Sequence, residues 1–175
     1  MRTIRSWLGL DPDETPGHAP LRELVEALDG IEPARARHCA RFAYLLGRVA
    51  HADHDVSPAE TRAMEELVMR EGGLTGDEAM LIVSLARSNQ LLFGGTADYI
   101  VAQEFEKAAT YAEKLALARC LFSVASIDEA ISMEEETEIH RILNQLRIQP
   151  ADLTALRLAN RKYLPGLAKK PSSDP

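Results

Sequence analysis

Long apolar runs, cysteines, aromatic residues and positive charge are all scarce in this 175-residue chain. No stretch approaches the about 18 consecutive apolar residues that a membrane span requires. The apolar run within Met1–Leu10 is too short for a secretory leader. Two cysteines, Cys39 and Cys120, sit far apart in apolar helical patterns and supply neither a disulfide framework nor a paired-cysteine zinc site. Buried free thiols in a reducing cytoplasm are the expectation. Aromatics make up 5 % of the chain, and 16 Val+Ile stand against 25 Ala and 23 Leu, a mix that favours helix over strand. With 20 Lys+Arg against 27 Asp+Glu the net charge is −7, which argues against a general binder of nucleic acid or anionic membrane. A Gly-rich phosphate loop, a nucleophile elbow and any other catalytic constellation are missing as well, so no enzyme is expected.

What remains is an ordinary globular composition, 46 % hydrophobic and 27 % charged, long enough for one core. Residues 1–19 read as an N-terminal segment and linker, 20–163 as a helical domain and 164–175 as a flexible tail. The first ten residues suit a short helix with Ile4, Trp7 and Leu8 opposite Arg2 and Arg5. Docking of Trp7 onto the domain is favoured there over contact of residues 1–10 with a membrane surface.

Sliding the chain on itself by 75 residues aligns 42–68 with 117–143 without a gap. Identical pairs are Ala43/Ala118, Leu46/Leu121, Val49/Val124, Ala50/Ala125, Asp53/Asp128, Ser57/Ser132 and Glu60/Glu135. Apolar exchanges fill Phe42/Leu117, Val56/Ile131, Met64/Ile139, Leu67/Ile142 and Val68/Leu143. Positions 42, 43, 46, 49 and 50 form one stripe of an amphipathic helix over about 34–52.

Ser57-Pro58-Ala59-Glu60 then opens a second helix, with Ser as N-cap, Pro in the first turn and Glu completing a capping box. That helix stops at Gly72-Gly73, and Thr75-Gly76-Asp77-Glu78 starts a third carrying Met80, Leu81, Val83 and Leu85. The second copy repeats the plan from Thr110-Tyr111-Ala112-Glu113, from Ser132-Met133-Glu134-Glu135 and after Gln149-Pro150, to about Lys162. A connecting helix is expected over 97–106 and an N-terminal one over 20–29. The fold class is therefore all-α: two pseudo-repeated three-helix units, about 34–88 and 110–162, sharing one core with extra N-terminal and connecting helices.

Both copies place Asp-x-x-[Val/Ile]-Ser-x-x-Glu at the first interhelical turn: Asp53, Val56, Ser57 and Glu60, then Asp128, Ile131, Ser132 and Glu135. In full the copies read Val49-Ala50-His51-Ala52-Asp53-His54-Asp55-Val56-Ser57-Pro58-Ala59-Glu60 and Val124-Ala125-Ser126-Ile127-Asp128-Glu129-Ala130-Ile131-Ser132-Met133-Glu134-Glu135. Here, over roughly residues 20–162, the sequence resembles the TerB-like family, named from bacterial tellurite-resistance proteins. The family also forms the N-terminal region of a membrane-anchored DnaJ-type co-chaperone. Its pattern ends a helix on Val-Ala-x-Ala-Asp-Gly and opens the next with Ser/Thr-x-x-Glu. This chain departs from that pattern at the Gly, where it carries His54 and, in the second copy, Glu129. The resemblance implies an all-helical bundle of two related halves, some of whose members bind divalent metal through such acids. No His-Pro-Asp loop is present, so a complete DnaJ-type co-chaperone is not expected.

Two readings of the acids compete. In the first, Glu60 and Glu135 complete capping boxes, while Asp53 and Asp128 accept backbone N–H bonds in the turn. In the second, Asp53, Asp55, Glu60, Asp128 and Glu135 hold Ca²⁺ or another divalent cation, which wants roughly six to eight oxygens. Capping and turn roles are favoured. The segment is no EF-hand, because Pro58 and Met64 stand where that loop needs Gly and Glu. His51 and His54 beside Asp53 and Asp55 suggest adventitious Zn²⁺ or Ni²⁺ binding rather than a specific site. Arg37, Arg41 and Arg48 read as exposed charges opposite the apolar stripe, and the run Glu134–Glu138 as a solvated first turn. His140 reads as a lone surface histidine.

The expectation for function is a cytoplasmic, non-catalytic interaction module in a bacterial stress-response or envelope-linked system. Its partner would be a protein and not nucleic acid. The alternative is a divalent-metal sensor or sequestering protein using the two repeated turns.

Overall fold

The computed structural model describes residues 32–50, 57–81, 83–84, 96–127 and 129–164. Six helices follow one another in them: α1 (Pro33–Ala50), α2 (Pro58–Gly72), α3 (Thr96–Ala108), α4 (Tyr111–Ala125), α5 (Met133–Gln145) and α6 (Pro150–Ala159). A further helical segment covers 76–81, and no strand occurs among the described residues. The first repeat is α1, α2 and the 76–81 segment; the second is α4, α5 and α6. The connecting helix is α3. Segment 1–19, the helix expected over 20–29, Leu85 and the tail over 165–175 lie outside the described residues.

Helix starts are dictated locally. Ser57, Thr110 and Ser132 each adopt extended backbone and accept a bond from the N–H three residues on. Glu60, Glu113 and Glu135 return a bond to the N-cap N–H, each at 2.7 Å. Thr75 and Glu78 exchange the same two bonds before the 76–81 segment. At α1 the side chain of Glu32 takes the capping part itself, accepting from the N–H groups of Ala34 at 3.0 Å and Arg35 at 2.8 Å. Those two bonds hold its carboxyl below the ordinary 4.5. At the start of α6 Gln149 makes no side-chain cap; Pro150 opens the helix, and the Gln149 N–H donates at 3.1 Å to Tyr111 Oη, which donates to Asp152 of the first turn.

Packing turns the two repeats into one core. Helix α1 lies against α2, α3, α4 and α5, while α4 lies against α1, α2 and α5. Each first helix thus touches its counterpart and also the second helix of the other repeat. The aligned apolar pairs meet there: Ala43/Ala118, Leu46/Leu121 and Val49/Val124 are fully buried, and Met64/Ile139 and Val68/Leu143 nearly so. Neither half could bury that surface alone. At about 25 cal/mol per Å², it is the main favourable term in the fold.

The third helices differ from the expected plan. Ala79 and Val83 are fully buried, but Met80 is exposed, so the apolar pattern there includes one surface residue. No residue of α6 is fully buried; Leu153 and Leu156 pack only partly against the core. Helix α6 also ends at Ala159 rather than about residue 162. The side chain of Asn160 donates to the Leu156 carbonyl at 2.9 Å, and a turn over 160–163 brings the chain back inward. Leu164, the first residue of the expected flexible tail, is fully buried as a result.

Candidate functional site

The two repeated helix caps, Ser57–Glu60 and Ser132–Glu135, share one geometry. Ser57 has φ −68° and ψ 158°, and Ser132 has φ −67° and ψ 164°. The Glu60 N–H donates to Ser57 Oγ at 3.1 Å, and the Glu135 N–H donates to Ser132 Oγ at the same distance. Both glutamates are 5 % exposed, a burial that ionic side chains tolerate only when hydrogen-bonded. The N-cap N–H, which donates to the carboxylate, and the positive end of a helix dipole supply that compensation at each site.

Just before the second cap, Glu129 lies in the left-handed region with φ 63°. This is the position where the family pattern has Gly, and the backbone explains the preference: a side chain there costs about 1–2 kcal/mol. The turn is then closed by the segment that follows α6. The Ile131 N–H donates to the Tyr163 carbonyl at 2.8 Å, and the Ile131 side chain is 2 % exposed.

Of the five candidate metal ligands, Glu60 and Glu135 are the two among the described residues; Asp53, Asp55 and Asp128 lie outside them, as do His51 and His54. Each glutamate places one carboxylate oxygen on its own N-cap amide. No group of three or more His, Cys, Asp or Glu side chains that could hold a metal occurs among the described residues. On those residues alone neither turn gathers the roughly six oxygens that a hard cation needs.

A buried ionic cluster lies across the repeats, and reading the sequence as exposed charge missed it. Arg48 is 5 % exposed rather than solvated. Its Nη2 lies 2.5 Å from Glu138 Oε1, Nε donates to the same oxygen at 2.8 Å, and Nη1 donates to the Asp98 carbonyl and Gln145 Oε1, each at 3.2 Å. Tyr44 Oη donates to Asp98 Oδ1 at 2.8 Å; burial, then this bond, pushes the phenol above its ordinary range. Arg141 donates to the other Glu138 oxygen. The cluster thereby links α1, α3 and α5.

The run Glu134–Glu138 is likewise more than a solvated turn, since Glu135 and Glu138 are buried and Glu136 pairs with Arg157 of α6 at 2.6 Å. One sequence signal pointed to this: positions 42–47 of α1 hold no charge, and Arg48 follows directly. A helix apolar all round is buried, and a charge within it must be paired. Arg41 also pairs, with Glu104 at 2.9 Å.

Cys39 and Cys120 are buried free thiols, as expected. Burial pushes them up to about 11 and about 12, far from a reactive thiolate at neutral pH. His140 is exposed, and its Nδ1 lies 3.0 Å from Asn144 Nδ2. No helix among the described residues is long and apolar enough to cross a membrane.

Fold and motif together define an all-α domain of two related halves that pack reciprocally, each opening its second helix with a buried Ser-x-x-Glu cap. Such a domain is what the resemblance at Asp53–Glu60 and Asp128–Glu135 implied. The chain belongs to the TerB family: the family model described as tellurite resistance protein TerB matches residues 38–158. That span takes in both repeats and α3. No curated protein and no solved structure matches the chain significantly.

Proposed function

We propose that this TerB-family chain is a non-catalytic interaction module of the bacterial cytoplasm. It serves a stress-response or envelope-linked system of the tellurite-resistance type by binding a protein partner. One observation carries this reading: the buried glutamates of the motif, Glu60 and Glu135, are engaged in capping their own helices. The motif then builds the bundle and leaves recognition to its surface. Affinity purification of the full chain followed by size exclusion should yield a stoichiometric protein complex. Recovery of the chain alone from a tellurite-stressed bacterial lysate would count against it.

The second reading, a divalent-metal sensor or sequestering protein, is favoured by the recurrence of Asp and Glu at matched places in both turns. Calorimetric titration with Ca²⁺, Mg²⁺ and Zn²⁺ of the wild type and an Asp53→Asn, Asp128→Asn double variant separates the two. The interaction module requires no saturable heat at millimolar ion, with a loss of stability in the double variant. Saturable binding that disappears in that variant would install the cation reading instead.

A further inference from the structure

A cleft of about 500 Å³ lies where the start of α1 meets the ends of α2 and α3 and the first turn of α4. That volume falls within the range of small-molecule sites. Arg35, Arg37, His38 and Arg41 line it from α1, faced by Glu71 of α2 and Glu113 of α4. Three guanidinium groups and two carboxylates thus line the cleft, in a chain of net charge −7.

Two of the arginines are fixed in place. Arg35 donates to the Gly73 carbonyl, and Arg41 donates through Nε and Nη2 to Glu104 Oε2 at 3.2 and 2.9 Å. Arg37 is different: it is half-buried, yet it makes no hydrogen bond or ion pair among the described residues. Its charge acts on Glu32 only at a distance, and that carboxylate is already taken by two backbone N–H groups. A guanidinium partly withdrawn from water, with no hydrogen-bond or ion-pair partner among the described residues, favours a carboxylate or phosphate, which it can grip in bidentate fashion.

Beside it the His38 ring packs on Phe105 with centroids 5.1 Å apart, and its Nε2 lies 4.0 Å from Glu113 Oε1. Burial holds its pKa below the ordinary 6.5, against the pull of Glu113 and with the push of Arg41. The imidazole is therefore neutral at pH 7, with one N–H to donate.

We infer that this cleft binds a small molecule bearing carboxylate or phosphate groups, held by Arg37 and contacted by His38. The inference is independent of the protein-partner reading. Citrate and pyrophosphate serve as probes of the two oxyanion sources. Each is titrated into the full chain at pH 7 and low ionic strength, followed by calorimetry and by the NMR signals of the His38 ring.

At least one probe should bind saturably with Kd at or below about 1 mM. Arg37→Gln should weaken that binding at least about tenfold with a melting curve little changed, because no hydrogen bond or ion pair among the described residues is lost. Arg161→Gln, an exposed arginine outside the cleft, should leave it within about twofold. The His38 signals should shift on binding. The inference fails if neither probe saturates by about 10 mM, if Arg161→Gln loses as much as Arg37→Gln, or if binding leaves the His38 signals in place.

Discussion

The second helices of the two repeats begin alike and stop on the same backbone turn through different residues. Helices α2 and α5 share a Ser-x-x-Glu cap with the same bond lengths and the same burial of the glutamate. At their C-termini Leu74 donates to the Met69 carbonyl and Ile148 to that of Leu143, so both chains wrap back and bury an apolar residue. The first copy turns on Gly73 at φ 60° and the second on Arg147 at φ 56°. The charged cluster is one-sided too, for Arg48 of the first copy aligns with Ser123 of the second. Starts are therefore set by short-range hydrogen bonding, which duplicates faithfully. Stops repeat the same short-range backbone bond on different residues, whereas the buried charges depend on what lies across the molecule and diverge.

The sharpest break between the copies should come at Arg48. Arg48→Met leaves the buried Glu138 with the exposed Arg141 in place of two guanidinium groups and should cost about 3 kcal/mol in urea unfolding. Ser123→Ala at the matched place should stay within about 0.5 kcal/mol. Comparable losses at both places would mean the cluster is not what separates them. Leu46→Ala and Leu121→Ala, matched and both fully buried, should each cost about 2–5 kcal/mol and differ by no more than about 1. A wide gap would show that the two halves of the core are packed unequally.

Ser57→Ala and Ser132→Ala should each cost about 1 kcal/mol, and unequal losses would undo the equivalence of the starts. Smaller effects probe the left-handed residues. Gly73→Ala should destabilise by about 1 kcal/mol or more, through φ and through Arg35 Nη2, which the new Cβ meets at 3.3 Å. Glu129→Gly and Arg147→Gly should each stabilise by about 0.5 kcal/mol, the relief of strain outweighing the entropy added to the unfolded chain. Loss of stability in either would mean that its side chain contributes more than its backbone costs.

Acid acts in one direction on both halves. The Thr110 hydroxyl, then its backbone N–H, keeps Glu113 below 4.5, and the Thr75 backbone N–H does the same for Glu78. Their contribution is complete above the unfolded value and is lost as pH falls through the folded one. Burial lowers His38 below 6.5, so its neutral form contributes above 6.5 and that contribution fades as pH drops through its folded value. Urea midpoints should decline from pH 7 downward, first through His38 and then, below 4.5, through the caps. A midpoint that rises on acidification would contradict both assignments.

The fold was legible because its determinants are close in sequence. The capped starts need four consecutive residues, and the buried stripes of α1 and α4 need one helical period. The end of α6 was misread for a related reason: Tyr163 and Leu164 continue the apolar content, but the chain has turned at Asn160 and reaches the core by another route. Arg48 was misread because Glu138 lies 90 positions away, and no local rule pairs them. The role of Glu60 and Glu135 as caps was written in their spacing from serine. The family's Gly position became intelligible only through the φ of Glu129.

The reciprocal contacts of α1 with α5 and of α4 with α2 are those of an isologous interface, in which each unit offers the other the same patch. The molecule can thus be regarded as a homodimer-like assembly whose two protomers have been joined through α3. Joining makes their association independent of protein concentration, and it frees each protomer from identity with its mate. One half can then carry a glycine stop and a buried arginine while the other does without. Within a single chain the symmetry can be broken, and a specialised face can arise on one side alone.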